Sequence, residues 1–168
     1  MTTPNFWLLP ITALIPLIVG FLWYNNSFGF GKAWLRTINM SEEDMKGSNM
    51  LAIFGLTYLL GLFLSAAVMF MVIHQMHVNS IFADTQGIQD PASEISLYLK
   101  DFMAKYGANF RTLKHGVLHG VMSALLVALP VTGITALFER RSFRYVAIHV
   151  GYWVVTMGLM GGILSAYF

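Results

Sequence analysis

Residues 6–24 read FWLLPITALIPLIVGFLWY, nineteen positions without a charge. At about 1.5 Å per helical residue, such a run just covers a hydrocarbon core of roughly 30 Å, so it is the first candidate membrane span. Trp7 at one end, and Trp23 with Tyr24 at the other, mark two interfaces where a ring has one edge wet and the other in hydrocarbon. Pro10 and Pro16 each remove a backbone donor and predict a bent helix. The preceding residues, MTTPN, contain no Lys or Arg, and no small-residue cleavage site follows the run. It therefore reads as a retained anchor, not a cleaved signal peptide.

The same pattern recurs three times outward from this stretch, at about 50–73, 117–138 and 145–167. Ser41-Glu42-Glu43-Asp44 resembles a capping box with acidic residues at the positive helix end, which predicts that the second span begins early and projects from the membrane. Glu139-Arg140-Arg141 closes the third span, and the fourth follows almost at once, giving a tight antiparallel hairpin. Between spans two and three, Asp90-Pro91 can act as N-cap and first helical residue of a helix over about 91–106. Ile95, Tyr98, Leu99, Phe102 and Tyr106 then share one face opposite Glu94, Lys100 and Lys105, as in a helix lying in the membrane interface. The expected fold class is an all-α membrane protein: four transmembrane helices in an antiparallel bundle plus an interfacial amphipathic helix, forming a single domain over residues 1–168.

Composition agrees. Of 168 residues, 57% are hydrophobic and only 11% charged, against about 25% charged in a soluble domain. The mean hydropathy is +0.64. Ten Lys and Arg against eight Asp and Glu, with no long basic run, exclude a nucleic-acid partner. The absence of cysteine excludes disulfides, thiolate metal sites and a cysteine nucleophile. Four spans put both termini on one side. Lys32, Arg36, Lys46, Arg140, Arg141 and Arg144 then share the other side, against Lys100, Lys105, Arg111 and Lys114, so the positive-inside bias places both termini outside the cytoplasm.

Five histidines carry the only obvious coordination chemistry. His74 and His77 end span two, while His115 and His119 begin span three at the same membrane face. Spacings of three and four let each pair share a helix face, so the four are the candidate metal ligands. The cofactor readings are a transition metal held by the quartet, or haem b held by one histidine from each pair, such as His77 and His119, with Gly116 and Gly120 leaving room for the porphyrin. Asp84, Asp90 and Asp101 are candidate ring-orienting carboxylates. The competing reading is ordinary: histidines at helix ends bonded to loop carbonyls or headgroups. His149 enters from the opposite face, with Glu139, Tyr24 and Asn26 as partners. Trp23, Tyr24, Asn26 and His149 form a candidate polar pocket for a headgroup or metabolite. Gly116-x-x-x-Gly120 and Gly158-x-x-x-Gly162, extended by Gly151, mark close-packing faces, either within one protomer or in a homo-oligomer or membrane complex.

No nucleophile elbow, phosphate-binding loop or His-Glu-x-x-His motif is present, and no span contains Asp, Glu, Lys or Arg. The expected function is a structural or interaction subunit, or a small-ligand or lipid binder, rather than an enzyme. The alternative is a metal- or haem-binding membrane protein, and the third reading is a small transporter.

The stretch WYNNSFGFGKAW from Trp23 to Trp34 resembles an uncharacterised bacterial integral-membrane family, domain of unknown function 1761. Trp23, Tyr24, Phe28, Gly29, Lys32 and Trp34 carry the likeness. Asn26 and Ser27 stand where the family usually has proline and leucine, and the segment between spans two and three is long for it. The resemblance implies a multi-pass protein of the bacterial inner (cytoplasmic) membrane and no particular activity. Physically the stretch reads as an interfacial anchor, with Phe28 and Trp34 in the headgroup boundary and Lys32 and Arg36 facing anionic lipid.

Overall fold

A computed structural model of the chain describes residues 4–168; the first three residues of the cation-free start lie outside the described residues. The elements in order are α1 (Leu8–Thr12), α2 (Ile15–Trp23), α3 (Gly31–Ile38), α4 (Met50–Val72), α5 (His74–Ile81), α6 (Glu94–Tyr106), α7 (Leu113–Ser123), α8 (Leu129–Phe138) and α9 (Phe143–Tyr167), with no strand among the described residues. Three helices are long and apolar enough to cross a membrane: Met50–Val72, Leu113–Phe138 and Phe143–Tyr167.

The helix Leu113–Phe138 is α7 and α8 joined through a wide turn at Ala124–Ala128, where the Leu129 N–H reaches back to the Ala124 carbonyl. Pro130 follows directly; having no N–H, it cannot continue the regular ladder, and one extra residue is absorbed in the turn before it. Helices α1 and α2 together form one interrupted apolar helix over Leu8–Trp23, in line with the bend expected from its prolines. The chain bends between Thr12 and Ile15, one turn before the imino nitrogen of Pro16.

Small residues set the packing. A Cβ on Gly116 would collide with the Gly161 carbonyl, and one on Gly120 with the Met157 carbonyl, so α7 and α9 meet backbone to backbone. Gly158 and Gly162 face Val117 and Val121 across the same seam, and Gly151 receives the Trp23 indole. All five glycines singled out for association make close contacts within the chain. On the far side, the backbone of Ala13 lies against Gly61, and Thr12 and Ser65 share a fully buried hydrogen bond of 2.6 Å. Thr12 donates onward to the Leu8 carbonyl at 2.7 Å, so Ser65 is the donor to Thr12. Val68, Met160 and Leu164 complete a core with no exposure at all.

Two expected helix starts are corrected. Glu43–Met45 form only a single 3₁₀ turn, and α4 begins at Met50, where the Asn49 side chain accepts from the Ala52 N–H at 3.1 Å. Asp44 folds back onto the backbone N–H and hydroxyl of Ser41, closing a local loop. Lys46 is extended and Gly47 takes a φ of +91°, so the acidic turn cannot propagate into α4. Likewise α6 starts at Glu94 with Ser93 as its cap, not at Pro91. The Asp90 carboxylate is engaged by the Ala92 N–H, while Ser93 accepts from Ser96. None of the residues of α6 is buried.

Candidate metal centre

The α4 helix stops at Val72, and Ile73, almost wholly buried, takes an extended conformation (φ −108°, ψ 92°) before α5 opens with His74. This break turns His74 toward α7. There the Thr112 hydroxyl oxygen caps the helix by accepting from the His115 N–H at 3.2 Å, and His115 and His119 stand one turn apart on one face. The seating of Gly116 and Gly120 on α9 fixes the rotation of α7, which turns its histidine face toward His74.

The result is a cluster of three imidazoles. One ring nitrogen from each of His74, His115 and His119 lies within 4.8 Å of the other two. His74 Nε2 and His115 Nε2 share a contact of 3.0 Å, and the His115–His119 and His74–His119 ring centroids are 4.3 and 4.8 Å apart. Nitrogen ligands at about 2.0–2.1 Å from a tetrahedral ion stand roughly 3.3 Å apart, so small side-chain rotations suffice for a common ion. His77 is exposed and is not among the converging ligand atoms. The candidate orienting carboxylates are also elsewhere: Asp101 pairs with Lys105 at 2.8 Å, Asp90 caps its own turn, and Asp84 is exposed.

Phe110 covers one side of the cluster, its ring 5.0 Å from that of His115. Its backbone is left-handed at φ 63°, a conformation unfavourable for a bulky residue. Three bonds hold the segment in place: Gln75 donates to the Asn109 carbonyl at 2.8 Å, Ser165 to the Phe110 carbonyl at 3.2 Å, and Arg111 Nε to the Ser165 carbonyl at 2.8 Å. Burial lowers the pKa of Arg111. Neither the break at Ile73 nor the role of Phe110 was anticipated from sequence; the only local signal was Gly107, which ends α6 three residues earlier.

Burial, then the neighbouring His119 and His77, hold the His74 imidazole below its usual pKa. With the folded-state value below the unfolded one, the unfolded chain takes up protons first as pH falls. The metal-free protein should therefore be fully stable above about pH 7 and lose stability as pH falls through the ordinary imidazole value near 6.5. Unfolding midpoints measured between about pH 8 and pH 5 check this. The slope is expected to flatten in His74→Gln; an identical slope in both proteins would count against it.

The haem reading is corrected by packing. The space beside Gly116 and Gly120, which that reading reserves for the porphyrin, is filled by the α9 backbone.

At the opposite end of the bundle, Trp23 Nε1 donates to the Ile148 carbonyl at 3.0 Å, and the Tyr24 hydroxyl shares a 3.1 Å bond with His149 Nδ1. Of the partners expected for His149, Tyr24 is the one it meets. Glu139 turns to Arg141, and the Asn26 side chain lies against Gly31. Trp34 packs edge-on to Tyr24 with centroids 5.2 Å apart. Trp34 Nε1 and His149 Nε2 are both buried without a partner. Lys32, Arg36 and Phe28 are exposed on the same end.

The profile of a family described as "Protein of unknown function (DUF1761)" matches residues 8–165. The chain belongs to that family. No curated protein and no solved structure matches it. The matched residues run well beyond the Trp23–Trp34 stretch.

Proposed function

We propose that this DUF1761 chain is a four-span membrane protein that binds a transition-metal ion through His74, His115 and His119 at one membrane face. The carrying observation is the convergence of three imidazoles from two different helices to within 4.8 Å. An all-imidazole set suits zinc, copper, nickel or iron and disfavours magnesium or calcium, which take oxygen ligands. Three protein ligands leave at least one position for water or a small molecule, and His74 is exposed, so that position opens outward.

The fourth span is supported by how far α1 and α2 run beside α9. The Asn5 N–H bonds the Phe168 carbonyl at one end, and Trp23 bonds Ile148 at the other, so together they follow α9 over most of its length. Both termini then lie outside the cytoplasm of a bacterial inner membrane, and the metal centre lies on their side. Helix α6, with no buried residue, rests in the interface on its Ile95–Leu99–Phe102 face. This reading takes up the metal-binding alternative raised from the sequence in place of the structural-subunit or ligand-binder reading. Transport has little to build on, since His149 Nε2 is sealed from solvent.

Elemental analysis of gently purified protein, with and without added zinc or copper, tests the proposal. One tightly held ion per chain is expected. Metal-free protein that fails to bind either ion above background would overturn it.

A further inference from the structure

A second surface, at the end of the bundle remote from the histidines, has its own chemistry. The turn joining α2 to α3 is held by unusually many bonds for a loop. The Asn25 carbonyl accepts from Gly29 and Gly31, the Asn25 side chain accepts from Ser27 at 2.8 Å, and the Phe30 N–H reaches the Trp23 carbonyl at 2.6 Å. Gly31 and Leu35 are buried, which docks α3 against α9. Lys32 and Arg36, each one residue further on and one turn apart, therefore project from a fixed helix on its exposed side. A rigid turn that leaves Phe28 66% exposed and Phe30 47% exposed is built for surroundings other than water.

The charges on this end are one-sided. Lys46 is paired with Glu43, Arg141 with Glu139, and Asp44 is bonded to Ser41. Among the described residues, Lys32, Arg36, Arg140 and Arg144 have no ion pair, and two carboxylates without a cation partner, Glu42 and Asp44, oppose them. The 139–144 turn lies at this end because Trp23 bonds Ile148 near the start of α9, and Phe138 and Phe143 flank it at 88% and 84% exposure. The other end has no such excess. There Lys105 is paired with Asp101, leaving Lys100, Lys114 and Arg111, which bonds a backbone carbonyl, against Asp84, Asp90 and Glu94.

We infer that α3 and the 139–144 turn form a binding surface for the headgroups of anionic phospholipids, with Lys32 and Arg36 as the principal phosphate contacts and Phe28 and Phe30 inserted beside them. Charge complementarity selects anionic lipid, and the ring of exposed aromatics sets the depth at which headgroups meet the cations. The inference is independent of the metal centre, which lies at the other membrane face.

Thermal unfolding of the full chain in phosphatidylcholine mixed micelles, titrated with phosphatidylglycerol, tests it. Phosphatidylglycerol is expected to raise the unfolding temperature by several degrees. K32Q/R36Q should lose most of that shift, and K100Q/K114Q should keep it. Should K32Q/R36Q fail to fold, R140Q/R144Q is used in its place, with a partial loss expected. Native mass spectrometry should also find phosphatidylglycerol retained in preference to phosphatidylcholine. Equal responses to the two lipids, a full shift in the cation variant, or the same shift from inorganic phosphate without anionic lipid would each overturn the inference.

Discussion

Gly120→Val is expected to abolish recovery of folded, monodisperse protein. A Cβ at Gly120 would fall on the Met157 carbonyl and crowd Gly158, and one at Gly116 would fall on the Gly161 carbonyl. These obstacles are backbone atoms in a facing helix, which no side-chain rotation can clear, so α7 must separate from α9 along its length. Overpacking a core costs typically about 1–3 kcal/mol, and a clash that separates two backbones exceeds that range. Gly133 and Gly55 provide the control, because a Cβ at either meets nothing within 4 Å. Gly133→Ala should be neutral or stabilise by roughly 0.5–1 kcal/mol, since alanine removes backbone freedom from a helix interior. Size-exclusion profiles and unfolding temperatures of the three proteins in one detergent check both halves. Similar behaviour of Gly120→Val and Gly133→Ala would contradict the backbone-to-backbone seam.

His119→Ala is expected to weaken metal binding by roughly 100-fold or more, because one of only three protein ligands is removed from a site whose total affinity is shared among them. His74→Ala and His115→Ala should do the same. His77→Ala should leave affinity unchanged, since its ring is exposed and does not reach the cluster. Competition against a chromophoric chelator gives the affinities. Nitrogen hyperfine structure in the copper-loaded protein reports the ligand number directly, with three imidazoles expected in the wild type and two in each disruptive variant. A His77→Ala protein as impaired as His119→Ala would mean that the cluster rearranges into the four-histidine set that spacing alone suggests.

Much of this arrangement was legible in the residues. The apolar runs gave the long helices, the Gly116–Gly120 and Gly158–Gly162 spacings named the seam that α7 and α9 use, and His115 and His119 at i and i+4 stated their shared face. Boundaries were less legible. Ser41–Asp44 and Asp90–Pro91 have the right residue types for helix starts, but each is closed by its own local hydrogen bonds, while Asn49 and Ser93 cap the helices that form. The break at Ile73 has no local signature. No proline or glycine marks it, and what accompanies it is the near-complete burial of the Ile73 side chain. The choice among four histidines depended on that break. A continuous helix leaves His74 and His77 as near equals; the interruption turns His74 toward His115 and His119 and leaves His77 outside the cluster.

His74 and His115 are 41 positions apart in sequence, and between them the chain makes its longest excursion out of the bundle, carrying α6 with it. An ion gripped by both residues would close that excursion at its base as a reversible cross-link. In a chain without a single cysteine, such an ion would add a reversible coordinate cross-link to the hydrogen bonds that already close the segment at Gln75–Asn109 and Ser165, and chelation would remove that cross-link without cutting the backbone.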